Sequence, residues 1–148
     1  RYEVLGKQIT VFGQGFIGAS GGAFGDDGSF YQANPRGNRI SRRSPDGHWE
    51  MDWVTDSLNV PIGLVAGDSS DLFVCNCGGN NIVHISRDRT VRTFTADTLL
   101  NCPNGLTRDP YGNLYACNFN DGNVLRINWE GKMNAGRHCL PYPVEELP

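Results

Sequence analysis

The apolar positions of this chain fall into short alternating runs, and no long stretch takes up the i, i+3, i+4 spacing of an amphipathic helix. The runs "SFYQAN", "NRISRR", "LFVCN", "NIVHIS", "LYACN" and "NVLRIN" are separated by clusters of Gly, Asn, Asp and Pro. Half-buried strands joined by tight turns have this appearance. The pattern predicts an all-β chain, and it repeats. Asn34, Asn76 and Asn118 lie 42 residues apart, as do Phe30, Leu72 and Leu114, and again Ile40, Ile82 and Val124.

Each unit opens with a short run after Gly22, Gly63 or Gly105, then turns at Asp26-Asp27-Gly28, Asp68-Ser69-Ser70 or Asp109-Pro110-Tyr111-Gly112. Second and third strands follow, and "HWEMDWVT" and "TVRTFTA" supply fourth strands to the first two units. Four short strands at this period are the signature of β-propeller blades. On this alignment the first copy is one residue shorter ahead of its second strand. The expected organisation is a half propeller over residues 1–132, with units at 20–60, 61–102 and 103–132. Residues 8–14 ("QITVFGQ") are expected as an amino-terminal strand that completes a blade. The tail 133–148 reads poorly as a strand because of its prolines. Three blades leave two open edges. Closure as a six-bladed homodimer around a two-fold axis is therefore expected; the alternative is that the chain is part of something longer.

Composition adds limits. The 148 residues, with 19 Gly and 8 Pro, fit one turn-rich domain, and no apolar run approaches membrane-spanning length. A net charge of −3 argues against a general nucleic-acid binder. The one basic stretch, with Arg36, Arg39, Arg42 and Arg43, reads as a strand and turn carrying solvated arginines. Five cysteines cannot all pair within one chain, and Cys75-Asn76-Cys77 lacks zinc-knuckle spacing, so the cysteines read as mostly buried small apolar residues. Nothing in the sequence sets the compartment.

Two sets of residues are candidates for chemistry. Asn34, Asn76 and Asn118 end the second strand of every unit, and Asn38 and Asn80 follow four residues later. Their amides can bond turn backbone, and as a ring they would offer a small polar ligand donors and acceptors without charge. Asn104, in Pro103-Asn104-Gly105, instead breaks the repeat: the matching positions are read as Gly21 and Ile62.

The stretch "PNGLTRDPYGNLYACNFNDGNVLRI" resembles blades of the senescence-marker-protein/gluconolactonase/luciferin-regenerating family and, more loosely, NHL-repeat propellers; the resemblance covers residues 8 to about 132. It implies a lactonase-like hydrolase acting on a small neutral polar ligand at the channel mouth, with calcium or magnesium held there. Asn104 matches the family's metal-binding asparagine, but the family's carboxylate ligands have no match. The resemblance also implies a carboxylate base. Asp121 is the candidate, because it alone of Asp68, Asp97, Asp109 and Asp121 is expected on the face that carries Asn104. Streptogramin lyases are a second similar group and need a histidine base, but His48, His84 and His138 are not at channel-facing positions. The alternative to a hydrolase is a non-catalytic ligand- or protein-binding propeller.

Overall fold

A computed structural model describes residues 9–133. Three antiparallel sheets follow one another along the chain. Blade 1 contains β1 (Gly22–Phe24), β2 (Phe30–Asn34), β3 (Arg39–Arg43) and β4 (Trp49–Val54). Blade 2 contains β5 (Pro61–Ala66), β6 (Leu72–Asn76), β7 (Asn81–Ile85) and β8 (Val91–Thr95). Blade 3 contains β9 (Pro103–Arg108), β10 (Leu114–Asn118) and β11 (Val124–Ile127). Within each blade the strands pair in chain order, so the all-β repeat expected from the period of 42 is the architecture observed, with four strands in blades 1 and 2 and three described in blade 3.

Alternation along each strand sends side chains to two faces, one toward the preceding blade and one toward the next. Tyr31, Ala33, Ile40 and Trp53 of blade 1 meet Leu72, Val74 and Ile85 of blade 2 in one buried cluster. Cys75 and Ile82 of blade 2 meet Leu114, Ala116 and Ile127 of blade 3 in a second. Ile40, Ile82, Leu72 and Leu114 are at most 1% exposed. Each such side chain contributes roughly 1.5–3 kcal/mol by leaving water, so the seams between sheets are the core.

At the inner strands the blades touch through backbone. The Gly21 N–H donates to the Ile62 carbonyl at 3.0 Å. A Cβ at Gly21 would lie 2.6 Å from that oxygen, and one at Gly63 only 2.0 Å from the Asn104 carbonyl. Glycine is required at both places because no side chain fits between the strands.

Register corrects the alignment at this point. Gly22, Leu64 and Leu106 pair with Gln32, Val74 and Ala116, which are themselves 42 apart. Gly21, Gly63 and Gly105 therefore correspond, all units have equal length here, and Asn104 matches Ser20 and Ile62 rather than Gly21.

The strand expected within 8–14 is not formed by the described residues 9–14; no neighbouring edge among the described residues lies beside them to pair with. They lie instead over the outer part of blade 1. Phe12 meets Phe30 at 5.3 Å and Trp49 at 5.9 Å edge to face, and Phe16 meets Trp49 at 4.9 Å. At the other end, Met133 bridges to Ile127. The rest of the expected tail, like residues 1–8, lies outside the described residues.

Replacing Gly63 with Ala forces a methyl group into the Asn104 carbonyl, and about 3 kcal/mol of stability should be lost. Urea denaturation followed by tryptophan fluorescence measures it.

Candidate functional site

The connections that lead from one blade to the next, at 55–60 and 96–102, lie at the same end of the molecule as the turns after β2, β6 and β10. Each connection passes through a left-handed residue: Val60 at φ 54° and Cys102 at φ 51°, with Gly18 at φ 74° in the matching place. That conformation costs a side-chain-bearing residue roughly 1–2 kcal/mol. Both strained residues are held from the preceding blade. The Val60 N–H donates to Asn38 Oδ1 and the Cys102 N–H to Asn80 Oδ1, each at 2.8 Å. Asn38 and Asn80 are themselves left-handed, at φ 46° and 48°, as caps of one-turn 3-10 segments.

Two of the three strand-ending asparagines hold the connection that enters their own blade. Asn76 Oδ1 accepts from the Asn59 N–H at 2.6 Å, and its amide donates to the Ser57 carbonyl at 3.3 Å. Asn118 repeats this with the Asn101 N–H at 3.1 Å and the Leu99 carbonyl at 2.7 Å. Asn34 differs. Its amide donates to Gln32 O and Ser41 Oγ, both at 3.0 Å, while its buried Oδ1 has no partner among the described residues. The described structure thus gives all five repeated asparagines an architectural task.

Asn104 has none. It sits half-buried at the start of its strand, and its side-chain amide bonds to no described residue. It faces a shallow cleft of about 290 Å³ with Ser20, Ile62, Gly63 and Leu64. The three inner-strand starts therefore bring one hydroxyl, one alkyl group and one amide to the mouth, and no carboxylate. Among the described residues no group of three His, Cys, Asp or Glu side chains converges anywhere. Calcium and magnesium take several oxygens, usually including charged ones. A single neutral amide oxygen beside Ser20 does not fit such an ion.

Asp121 lies in the turn after β10, as expected, and accepts from the Asn123 N–H at 3.0 Å and from Asn118 Nδ2 at 3.2 Å. Its pKa is held below the ordinary carboxylate value, chiefly by the Asn123 N–H. No hydrogen bond among the described residues links it to Asn104. Asp97 proves to lie at the same end, in the connection before β9, where it caps the Leu99 N–H at 2.9 Å; placing only Asp121 there was too narrow. Asp68 and Asp109 are at the opposite end, Asp68 in a two-pronged pair with Arg108 at 3.0 and 2.9 Å. His84 pairs with Asp71 at 2.9 Å on the outer part of blade 2, and His138 lies outside the described residues.

The cysteines depart from expectation. Cys77 and Cys102 form a disulfide that ties the turn after β6 to the connection into blade 3. No spacing rule exposed this pair, because it depends on how successive blades abut. Cys75 is buried as expected, and burial, with Cys117 nearby, pushes its thiol to about 12. Cys117 is exposed. The basic stretch is partly tied down: Arg39 pairs with Asp52, Arg42 bonds Ser29 and Asp27, and Arg43 lies 4.7 Å from the Phe12 ring centroid. Among the aromatics, Tyr31 and Trp53 pack together at 4.9 Å, while Phe119 and Trp129 are exposed.

No family model matches the chain, and no curated protein does either. Solved structures do. Virginiamycin B lyase from Staphylococcus aureus superposes with a TM-score of 0.67 at 20% identity, over 79% of this chain and 40% of that one. A chain of the nidogen/laminin complex gives 0.67 at 23% identity, over 78% and 47%. A gluconolactonase from Xanthomonas campestris gives 0.67 at 16%, over 79% and 46%. The fold is that of a β-propeller. At these identities the likeness establishes the propeller architecture, and this chain spans less than half the length of each of the three neighbours. No described helix of the propeller is long and apolar enough to cross a membrane.

Two outcomes follow. Replacing Asn80 with Ala leaves the left-handed Cys102 without its acceptor and should cost about 1 kcal/mol, read as a lower midpoint in urea. Asp121 should titrate below the normal aspartate range in a carbon-detected NMR titration. Because its folded-state pKa is depressed, its bonds to Asn123 and Asn118 stabilise the turn above the unfolded value. They are lost as pH falls through the folded one.

Proposed function

We propose that this chain is a non-catalytic binding propeller whose mouth engages a neutral polar group, such as a saccharide hydroxyl or a peptide amide. The carrying observation is the set Ser20, Ile62 and Asn104 at the inner-strand starts, in which one uncommitted amide stands without a carboxylate. An amide offers two donors and an acceptor and recognises neutral groups without drawing in ions. Asp121 and Asp97, the candidate acids at the same end of the molecule as Asn104, are engaged by turn backbone and are poorly placed to activate water. Nidogen in its laminin complex provides a chain of this fold within a protein–protein assembly. The Cys77–Cys102 bond suits an oxidising compartment, where such binding modules commonly work.

The second reading is a lactonase-like hydrolase of the gluconolactonase-like group. Asn104, on the channel wall in a Pro-Asn-Gly sequence, favours it. Lactone hydrolysis separates the two. D-glucono-1,5-lactone is supplied with calcium or magnesium, ion binding is followed by calorimetry, and a panel of neutral oligosaccharides is screened in parallel. The binding reading expects no turnover above the spontaneous rate and no ion uptake. It also expects saccharide binding weakened about tenfold by Asn104→Ala, the equivalent of one hydrogen bond. Ion-dependent turnover that Asn104→Ala abolishes would establish the hydrolase instead.

A further inference from the structure

Blade 3 presents to solvent the face that blades 1 and 2 bury. Val124 pairs with Cys117 just as Ile40 pairs with Ala33 and Ile82 with Cys75. Ala33, Ile40, Cys75 and Ile82 are all 0% exposed, whereas Val124 is 65% exposed and Cys117 is open as well. Gly105 belongs to the same pattern. Its counterparts Gly21 and Gly63 are glycine because the next blade's carbonyl leaves no room, yet a Cβ at Gly105 would meet nothing closer than Cys117 at 3.6 Å.

The other end of the chain is complementary. Residues 9–12 correspond to Met51–Val54 and lie over blade 1 as β4 lies over blade 2. Phe12 rests on Phe30, Trp49 and Arg43, as Val54 rests with Leu72 and Ile85. The far side of this segment is bare: Ile9 is 98% exposed and Val11 82%, although Val11 matches Trp53, which is 5% exposed. Asn34 Oδ1 is orphaned for the same reason. The matching oxygens of Asn76 and Asn118 accept from Asn59 and Asn101, and the equivalent donor is the N–H of Ile17, in a connection that no neighbouring blade holds.

We propose that these two ends mate between two copies of the chain, closing six blades around a two-fold axis. Blade 1 of one copy covers the open face of blade 3 of the other. Residues 9–12 run along β11, with Phe12 opposite Val124 as Val54 is opposite Ile40. Gly105 then receives the Ser20 carbonyl of the second copy. Cys117 comes to rest on the second copy's Gly21, as Cys75 rests on the Gly105 carbonyl at 3.8 Å. The seam is built to be open before assembly. Gln32, Ser41 and Arg43 stand where blades 2 and 3 have Val74 and Ala116, Val83 and Leu125, and Ile85 and Ile127. Gln32 Nε2 is bonded to three carbonyls and Ser41 Oγ to Met51 O, within the chain itself. Interfaces between separately folded chains carry more polar groups than a core does.

One competing occupant of the β11 edge is the chain's own continuation. Met133 bridges Ile127 as Val91 pairs with Ile85 at the start of β8. By sequence alone, Ile9-Thr10-Val11-Phe12 offers that slot β-branched and aromatic residues, whereas Asn134-Ala135-Gly136-Arg137 brings an arginine to the position that matches Trp53. The inference does not depend on what the mouth binds.

The test combines light scattering on a sizing column with maleimide labelling of the native 148-residue chain, the labelled cysteines being mapped by mass spectrometry. The expected result is twice the 16.3 kDa chain mass, with Cys117 as protected as Cys75. Gly105→Ala and, separately, Val11→Lys should each give a folded species of single-chain mass, with normal circular dichroism and a labelled Cys117. A single-chain mass for the unmodified protein overturns the proposal, whether Cys117 labels (an open face) or is protected (cover by its own tail). A dimer in which Cys117 labels freely overturns it too, since it has assembled through another surface.

Discussion

Successive blades meet backbone to backbone where Gly21 and Gly63 lie against the carbonyls of Ile62 and Asn104. That approach sets the spacing of the sheets at their inner edge, and twist opens them outward. The packing follows the resulting wedge. Ala33 and Cys75 fill the narrow part, while Trp53 and Leu58 fill the wide part of the first seam and Leu100 and Phe94 belong to the second. Because the close contact involves no side chain, it can be made only where a second sheet arrives. Among the described residues no sheet arrives at Gly105, and a Cβ there would meet only Cys117 at 3.6 Å.

The mouth inherits its chemistry from that geometry. Chains passing between tightly spaced inner strands must reverse sharply, and they do so through left-handed residues that include the β-branched Val60. Asparagine side chains from two directions hold those reversals: Asn38 and Asn80 from the preceding blade, Asn76 and Asn118 from within. The Cys77–Cys102 bond adds a covalent tie in the same place. An end of the molecule that reads as a ring of binding amides is therefore largely occupied with holding itself together. Asn104 is distinguished by having no such duty.

Much of this was legible beforehand. The period of 42, the strands, the turns and the alternation of buried positions all follow from side chains recurring in the sequence, and side chains are what a sequence displays. The errors have a common origin in contacts the sequence does not mark. Gly21 and Gly22 look alike, and only the pairing of Gly22 with Gln32 shows which of them meets the next blade, so Asn104 was matched to Gly21 when Ser20 holds the place. The disulfide joins a turn to the following connection across a seam. Residues 9–14 have the composition of a strand but form none here, because a strand needs an edge and no described edge of this chain lies beside them.

The proposed recognition and the proposed closure would be linked through Asn104. Its amide stands one residue from Gly105, beside the slot that only another blade fills, and a ligand resting on that amide would also touch whatever occupies the slot. If Ser20 of a second copy arrives there, the mouth gains a second hydroxyl beside the amide and no charge. The chemistry then remains that of a neutral recognition surface. An acidic group arriving in the same slot would supply the charged oxygen that a divalent ion requires, and the same asparagine would serve as a ligand. On the proposed readings, what sits against Gly105 would decide which of the two chemistries Asn104 serves.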